Sequence, residues 1–206
     1  MNSRGDSTRV VRPVLPGGGG SSPTSPLQVE ECDVSVIQEV MERVHYSHSI
    51  FGVTTSVCYA VREHGIVVGG AIFGRPGAFN VSRKYDKGEP LLELRRFVLE
   101  DRLPRNSESR VLGVMLRSLR KRGIRRILSY ADPSHGHTGV IYAATGFVRH
   151  GVTATRKHLM WKNKKYPDRN LHQTNFPFHL ELRAAVAAGE AQHVVVPGKV
   201  IWLRTL

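Results

Sequence analysis

Arg95 and Arg96 stand side by side in an apolar run, Leu91 to Leu99, and a guanidinium is well matched to a phosphate or carboxylate. Neighbouring strand residues face opposite ways, so at most one of the two points easily into a shared site. A strand-edge salt bridge with Glu93 or Glu100 is the plainer alternative. Arg105-Asn106-Ser107-Glu108-Ser109 opens a helix. Exposed amides there, with the side chains of Asn106, Ser107 and Ser109, suit an anionic donor group. Ordinary N-capping by Ser107 or Asn106 accounts for the same residues. Asp132 follows an apolar strand, where it could ligate a metal or take a proton from an amine. The alternative is an Asp-Pro turn in which Asp132 bonds its own backbone. His45, Tyr46, His48, His135 and His137 are candidate metal ligands, and a His-Tyr-Asp set suits iron. Lys162, Lys164, Lys165 and Arg169, with Trp161 and Tyr166, combine cations with aromatic rings. Such a stretch can cradle DNA and stack on an extruded base, or it can be a solvated basic turn.

These residues need elements to position them. Residues 92–99 read as a strand, followed by a polar loop and a helix from Ser107 or Glu108 whose apolar face is Val111, Leu112, Met115, Leu116 and Leu119. Gly123 stands where a helix cap is expected. Residues 124–130 form the next strand, and a short helix over residues 139–145 leads through Gly146-Phe147 into another. This is a βαβ unit with a second helix after it. Both polar loops then sit at the carboxyl ends of neighbouring strands, where α/β sheets place ligands. Upstream, Val36, Ile37, Val40, Met41 and Val44 recur at helical spacing behind Asp33. Residues 53–63 and 66–73 read as a hairpin turning at His64-Gly65. Residues 74–90 read as a polar loop on the substrate side. A helix near residues 179–188 and a last strand over residues 194–203 complete the pattern.

The chain has 206 residues, 40% of them apolar, which suits one domain plus a tail. Residues 1–26 are rich in Gly, Ser, Pro and Arg, and such composition cannot offset the entropy of ordering, so a disordered tail is expected before a single domain over 27–206. No apolar run approaches a membrane span and the N-terminus lacks a secretory h-region, so no membrane partner is expected. Two cysteines, Cys32 and Cys58, indicate no disulfide framework, and a reducing cytoplasm is the default setting. The net charge of +13 points to a polyanionic partner, most simply nucleic acid. Arg-rich codon usage is the competing explanation, since the cations are spread along the chain.

The order helix, hairpin, strand, loop-helix, strand, helix resembles the GNAT N-acyltransferase fold, a mixed-sheet α/β (α+β) class. Tyr142-Ala143-Ala144-Thr145-Gly146-Phe147 is similar to that fold's ligand-side helix, whose tyrosine often serves as general acid towards the leaving group. The usual phosphate loop carries two glycines; Arg105-Asn106-Ser107-Glu108-Ser109 has neither, which weighs against coenzyme A. A second resemblance covers about residues 40–165. It is carried in order by His45-Tyr46, Phe73-Gly74-Arg75-Pro76, Glu93-Leu94-Arg95-Arg96, the Arg105–Ser109 segment, Tyr130-Ala131-Asp132-Pro133 and residues 136–142. The chain in these segments resembles the bacteriophage Mom family of DNA adenine-modifying proteins. The resemblance implies a GNAT-like enzyme of the infected bacterial cytoplasm. It would convert adenine in double-stranded DNA to N6-carbamoylmethyladenine, on a flipped base, and so protect phage DNA from restriction. It implies Asp132, Tyr142, Arg96 and Ser109 as catalytic residues and Arg95, Asn106, Ser107 and Gly139 as donor-binding residues. It also supports a metal, iron by ligand type, on His45, Tyr46 and Asp132, while the cations and aromatic rings of residues 161–169 by themselves make Lys162, Lys164 and Lys165 the DNA-binding candidates. The donor of the carbamoylmethyl group is open, and so is the oligomeric state, a homodimer included. The rival readings are an acetyl-coenzyme A-dependent N-acetyltransferase of a protein or small amine, and a noncatalytic DNA-binding protein.

Overall fold

A computed structural model describes residues 27–77, 79–172 and 178–206; the expected tail over residues 1–26 lies outside them. In chain order the elements begin with β1 (Gln28–Glu31), α1 (Val34–Val44), β2 (Val57–Glu63), β3 (Ile66–Gly74), α2 (Phe79–Tyr85), β4 (Leu91–Leu99) and α3 (Ser107–Lys121). Next come β5 (Arg126–Ala131), α4 (Val140–Ala144), β6 (Val148–Val152), β7 (Arg156–Trp161) and β8 (Lys164–Pro167). The chain ends with α5 (His179–Ala187), β9 (Gln192–Val196) and β10 (Val200–Thr205). Two compact units emerge. The first holds the described residues up to Tyr130, then Gly139–His150 and Trp202–Leu206; the second holds Ala131–Thr138 and Gly151–Ile201.

The first unit is built on a mixed, mostly antiparallel sheet of order β1-β2-β3-β4-β5-β10-β6, which β6 leaves after His150 and β10 rejoins at Trp202. Alternation along β2 sorts its side chains onto the two faces. Val57, Tyr59 and Val61 join the α3 face, with Val111, Leu112, Met115, Leu116 and Leu119. Cys58 and Ala60 join Ile37, Val40 and Met41 of α1 on the other. Gly70 lets α1 approach, since a Cβ there would lie 2.6 Å from the Tyr59 carbonyl oxygen and 2.8 Å from Ile37 Cγ2. The hairpin turns at His64-Gly65, both with positive φ, as a two-residue primed turn requires.

Two irregularities in this sheet matter for function. In the β3–β4 ladder Ile72 pairs with Arg96 and Phe73 with Leu94, so Arg95 is a bulged residue. β4 and β5 are parallel, as expected, but their ladder covers only Leu91–Glu93 against Arg126–Leu128. Beyond Glu93 and Leu128 the two strands part.

In the second unit β8-β7-β9 form a three-stranded antiparallel sheet. Leu159, Trp161 and Tyr166 pack against Leu182 and Ala185 of α5. The expected polar loop over 74–90 instead contains α2, whose polar surface residues Asn80, Ser82, Arg83 and Lys84 disguise a short helix anchored by buried Tyr85. The expected last strand over 194–203 is two strands. Pro197 has no amide to donate, and a side chain at Gly198 would collide with the Thr153 carbonyl, so the chain breaks there. β9 joins the small sheet and β10 the large one.

Candidate functional site

In the first unit, the segment after α1 carries His45, Tyr46, Ser47 and Ser49 to Arg96. Gly74 makes room for it: a Cβ there would overlap the Thr54 carbonyl. His45 is buried, with Nδ1 at 2.8 Å from Ser47 Oγ, and it accepts the Ser47 amide at 3.1 Å. Tyr46 is 39% exposed and lies on the His45 ring at 4.3 Å between centroids. Arg96 donates from Nε to the Ser49 carbonyl at 3.4 Å and from Nη1 to the Arg95 carbonyl at 2.8 Å. Among the described residues no carboxylate lies within ion-pair distance of it. Burial lowers its pKa, the Tyr46 oxygen favours its charge, Arg95 opposes it and the charge of Glu93 favours it; a guanidinium remains protonated even so.

Tyr142 stands on α4 with its ring 5.4 Å from Phe147 and 6.0 Å from Trp202. Burial raises its pKa; Ser129 acts in the opposite direction and the Tyr46 charge adds to the rise. Tyr46 is thus the neighbour common to Arg96 and Tyr142. Ser129 lies on β5 just past the point where the ladder with β4 stops, and its buried Oγ has no hydrogen-bond partner of ordinary geometry among the described residues. Trp202 Nε1 is in the same condition. Buried orphan polar atoms are uncommon in folded proteins, and two beside one tyrosine mark this gap as a polar site. Ser129 and Trp202 escaped the sequence reading; a serine inside Ile127-Leu128-Ser129-Tyr130 was the available signal.

A cleft of about 450 Å³ in the same unit lies between the start of α3 and α4. Asn106, Ser109, Val140 and Ile141 line it, with Arg105, Asp101 and Glu108. Asn106 adopts φ 68°, a left-handed conformation that asparagine tolerates better than most residues. Ser107 is buried and donates to the Pro104 carbonyl at 2.6 Å, and Ser109 donates to the Asn106 carbonyl at 3.0 Å. Both hydroxyls are committed to the loop itself. Two carboxylates against one guanidinium, and no glycine in the loop, do not fit a coenzyme A pyrophosphate.

Arg95 departs from its expected donor-binding role. It pairs with Glu93 at 3.5 Å, donates to the Arg75 carbonyl at 3.4 Å, and so pins the loop before α2. Gly139 departs too: at φ +84° a Cβ would lie 2.5–2.6 Å from the Trp202 ring, so glycine is required there for packing.

Asp132 falls in the second unit. Its Oδ1 accepts the Ser134 amide at 3.0 Å and hydroxyl at 2.6 Å, and its Oδ2 lies 2.9 Å from Lys199 Nζ. Burial would raise this carboxyl, but the Ser134 hydroxyl and amide and the Lys199 ammonium together hold it down to about 2. Such a carboxylate is a weak proton acceptor at neutral pH, so the turn-forming alternative describes it. Of the expected iron ligands, His45 and Tyr46 belong to the first unit and Asp132 to the second. The Ser47 amide donates to His45 Nδ1, which leaves the neutral ring's proton on Nε2 and no lone pair for a metal. Asp132 already has a cation, and no three His, Cys, Asp or Glu side chains among the described residues gather around a metal position.

The Asp132 pairing has a pH consequence. Its folded pKa lies below the ordinary 3.8, so its stabilisation is present above that value and is lost as pH falls towards about 2. With Lys199 43% exposed, screening limits the contribution to about 1–2 kcal/mol. Asp132→Asn is therefore expected to be less stable than the parent at pH 7 in denaturant titrations, with the gap closing by about pH 2. An equal gap at both pH values would show that the charge does not matter.

Among solved structures the fold of this chain has clear counterparts. An IAA acetyltransferase from Bacillus cereus superposes with TM-score 0.54 at 10% identity, covering 88% of this chain and 100% of that one. YncA of Salmonella typhimurium, solved with its cofactor acetyl-CoA, gives 0.50 at 12% identity, covering 88% and 95%. A ribosomal-protein-alanine N-acetyltransferase from Brucella melitensis gives 0.50 at 10% identity, covering 86% and 99%. At these identities the likeness concerns the fold, which is that of the GNAT acetyltransferases. A search of curated proteins finds no match. The family model described as the Mom protein family matches residues 26–196. With most of its length matched and the GNAT architecture beneath it, this chain belongs to the Mom protein family.

Proposed function

We propose that this protein modifies the exocyclic amine of adenine in double-stranded DNA, giving N6-carbamoylmethyladenine, and thereby shields phage DNA from restriction in the bacterial cytoplasm. The observation that carries the reading is Arg96, a partly buried guanidinium with no direct carboxylate ion pair among the described residues, only the more distant charge of Glu93, on a chain of this family. A desolvated cation without a direct ion pair is costly to the fold and is kept where it meets an anion. Arg96 holds the negative charge that develops on the donor as the bond to its leaving group breaks. Tyr142, whose raised pKa keeps it protonated at neutral pH, gives its proton to that leaving group. The adenine nitrogen forms the new bond to the donor carbon and loses one proton to water, and Tyr142 regains its proton from solvent. The base must leave the stack to reach such a site.

Nucleoside mass spectrometry of a plasmid co-expressed with the protein tests this directly. N6-carbamoylmethyldeoxyadenosine should replace part of the deoxyadenosine. Unchanged nucleosides, with DNA binding that weakens steeply with salt, would instead leave a noncatalytic DNA-binding protein. A second reading, transfer of an acetyl group from acetyl-CoA to an amine, is favoured by the parting of β4 and β5 and by the acetyl-CoA held in the Salmonella typhimurium structure. Asp101 and Glu108 in the α3 cleft oppose it, and tight coenzyme A binding by calorimetry would restore it.

A further inference from the structure

The +13 charge of the chain is not distributed evenly once ion pairs are taken into account. In the first unit many arginines are engaged with carboxylates. Arg43 meets Glu100 at 2.6 Å, Arg62 meets Glu30 at 2.5 Å, Arg102 meets Glu63 at 2.6 Å, and Arg122 meets Glu31. The β7–β8 hairpin of the second unit differs. Between residues 156 and 167 there are five cations, Arg156, Lys157, Lys162, Lys164 and Lys165, and no acid. All five are exposed, and none forms an ion pair among the described residues. Composition separates this patch from the arginine-rich background. The chain has eight lysines against 22 arginines, and four of the lysines fall between positions 157 and 165.

The hairpin is also held rigid. Its turn residues, Lys162 and Asn163, have φ 47° and 58°, the geometry of a tight primed turn, so the tip projects without slack. Trp161 and Tyr166, on the face buried against α5, support two of the cations. Lys162 Nζ lies 4.3 Å from the Trp161 ring centre and Lys164 Nζ 5.7 Å from that of Tyr166. Lys165 pairs across the ribbon with Met160, on the opposite face from Leu159 and Tyr166. The tip thus offers cations from both faces and its edge.

We infer that this hairpin is a phosphate-gripping ribbon that seats duplex DNA, independently of sequence, through Lys162, Lys164 and Lys165. The inference rests on the reading of DNA as the substrate. β9 pairs with β7 only up to Met160, so the tip of the hairpin, from Trp161 to Lys164, projects past the three-stranded sheet and is narrow enough to reach the phosphates that flank a groove of B-DNA. Lysine, a point charge on a flexible stem, grips phosphate without reading bases. Each phosphate neutralised releases counterions, so each lysine contributes roughly 0.9 to the dependence of log K on log salt.

The test is fluorescence anisotropy of the full chain with a short random-sequence duplex over a potassium chloride series. The triple variant Lys162→Gln/Lys164→Gln/Lys165→Gln should lower the salt slope by roughly 2–3 and weaken binding about tenfold or more. The Lys→Arg triple at the same positions should bind as the parent does. Lys87→Gln/Arg117→Gln/Lys121→Gln removes the same charge from exposed sites in the first unit and should leave the slope near that of the parent. An unchanged slope in the hairpin triple, an equal drop in the control triple, or tighter binding of a folded RNA than of the duplex would each overturn the inference. Adenine modification, read by nucleoside mass spectrometry in parallel, separates the two ideas. A parent that modifies adenine while the hairpin triple binds DNA normally defeats the ribbon alone. A parent that binds through the hairpin yet leaves adenine untouched defeats the enzymatic reading alone.

Discussion

Replacement of Arg96 by methionine is expected to cut adenine modification about 10²–10³-fold, the usual loss when one charge-stabilising donor is removed, without lowering thermal stability. The two halves of this expectation come from the same geometry. Arg96 is half-buried, bonded only to the Ser49 and Arg95 carbonyls, and burial lowers its pKa. Removing a partly buried charge that has no direct ion pair relieves a desolvation cost, and methionine keeps much of the stem's packing. Residues kept for function at the expense of stability behave this way. A structural arginine would do the reverse: the melting temperature would fall and activity per folded molecule would survive. Arg95→Met provides that contrast within one strand. Its ion pair with Glu93 and its bond to the Arg75 carbonyl would be lost, so stability should drop while modification persists in proportion to folded protein.

Tyr142→Phe is expected to lower modification about 10²–10⁴-fold, the range for loss of a positioned proton donor, with the fold intact. The ring's contacts with Phe147 and Trp202 are retained by phenylalanine. The hydroxyl faces Ser129, whose Oγ is already without an ordinary hydrogen bond, so its removal strands no newly buried group. The pH dependence is the sharper diagnostic. Burial lifts the Tyr142 pKa above the usual tyrosine range, so its proton stays in place through neutral and mildly alkaline pH. Activity of the parent should hold through mildly alkaline pH and fall only above the ordinary tyrosine range; the phenylalanine variant should lack that alkaline limb. Full activity in Tyr142→Phe would remove the tyrosine from the chemistry and leave it as a packed ring.

Much of the framework was legible because it is written in local patterns. The 3.6-residue repeat of α1 and α3, the alternation of β2, the His64-Gly65 turn and the βαβ spacing of β4, α3 and β5 each follow from neighbouring residues. The motif order was enough to indicate the Mom family and the GNAT fold, both of which the comparisons show. The helix over Phe79–Tyr85 and the break at Pro197-Gly198 were missed for the opposite reason. A seven-residue helix carries too few apolar positions to register a period, and the break depends on the Thr153 carbonyl, a long-range neighbour.

Residue types set the candidates: adjacent arginines, a polar loop opening a helix, an aspartate after a strand and a tyrosine on a short helix. Partners assigned the roles, and a partner distant in sequence cannot be read from the chain alone. Arg95 and Arg96 are indistinguishable as letters; a bulge and a direct ion pair with Glu93 make one a loop anchor and leave the other a partly buried cation with no direct ion pair among the described residues. Lys199, 67 positions beyond Asp132, turns a candidate base into a paired anion. Trp202, at the far end of the chain, accounts for Gly139, which sequence alone placed against a donor. Electrostatics and sterics act through space, so the sequence determined which chemistries were available and the tertiary contacts decided which side chains remain free to perform them.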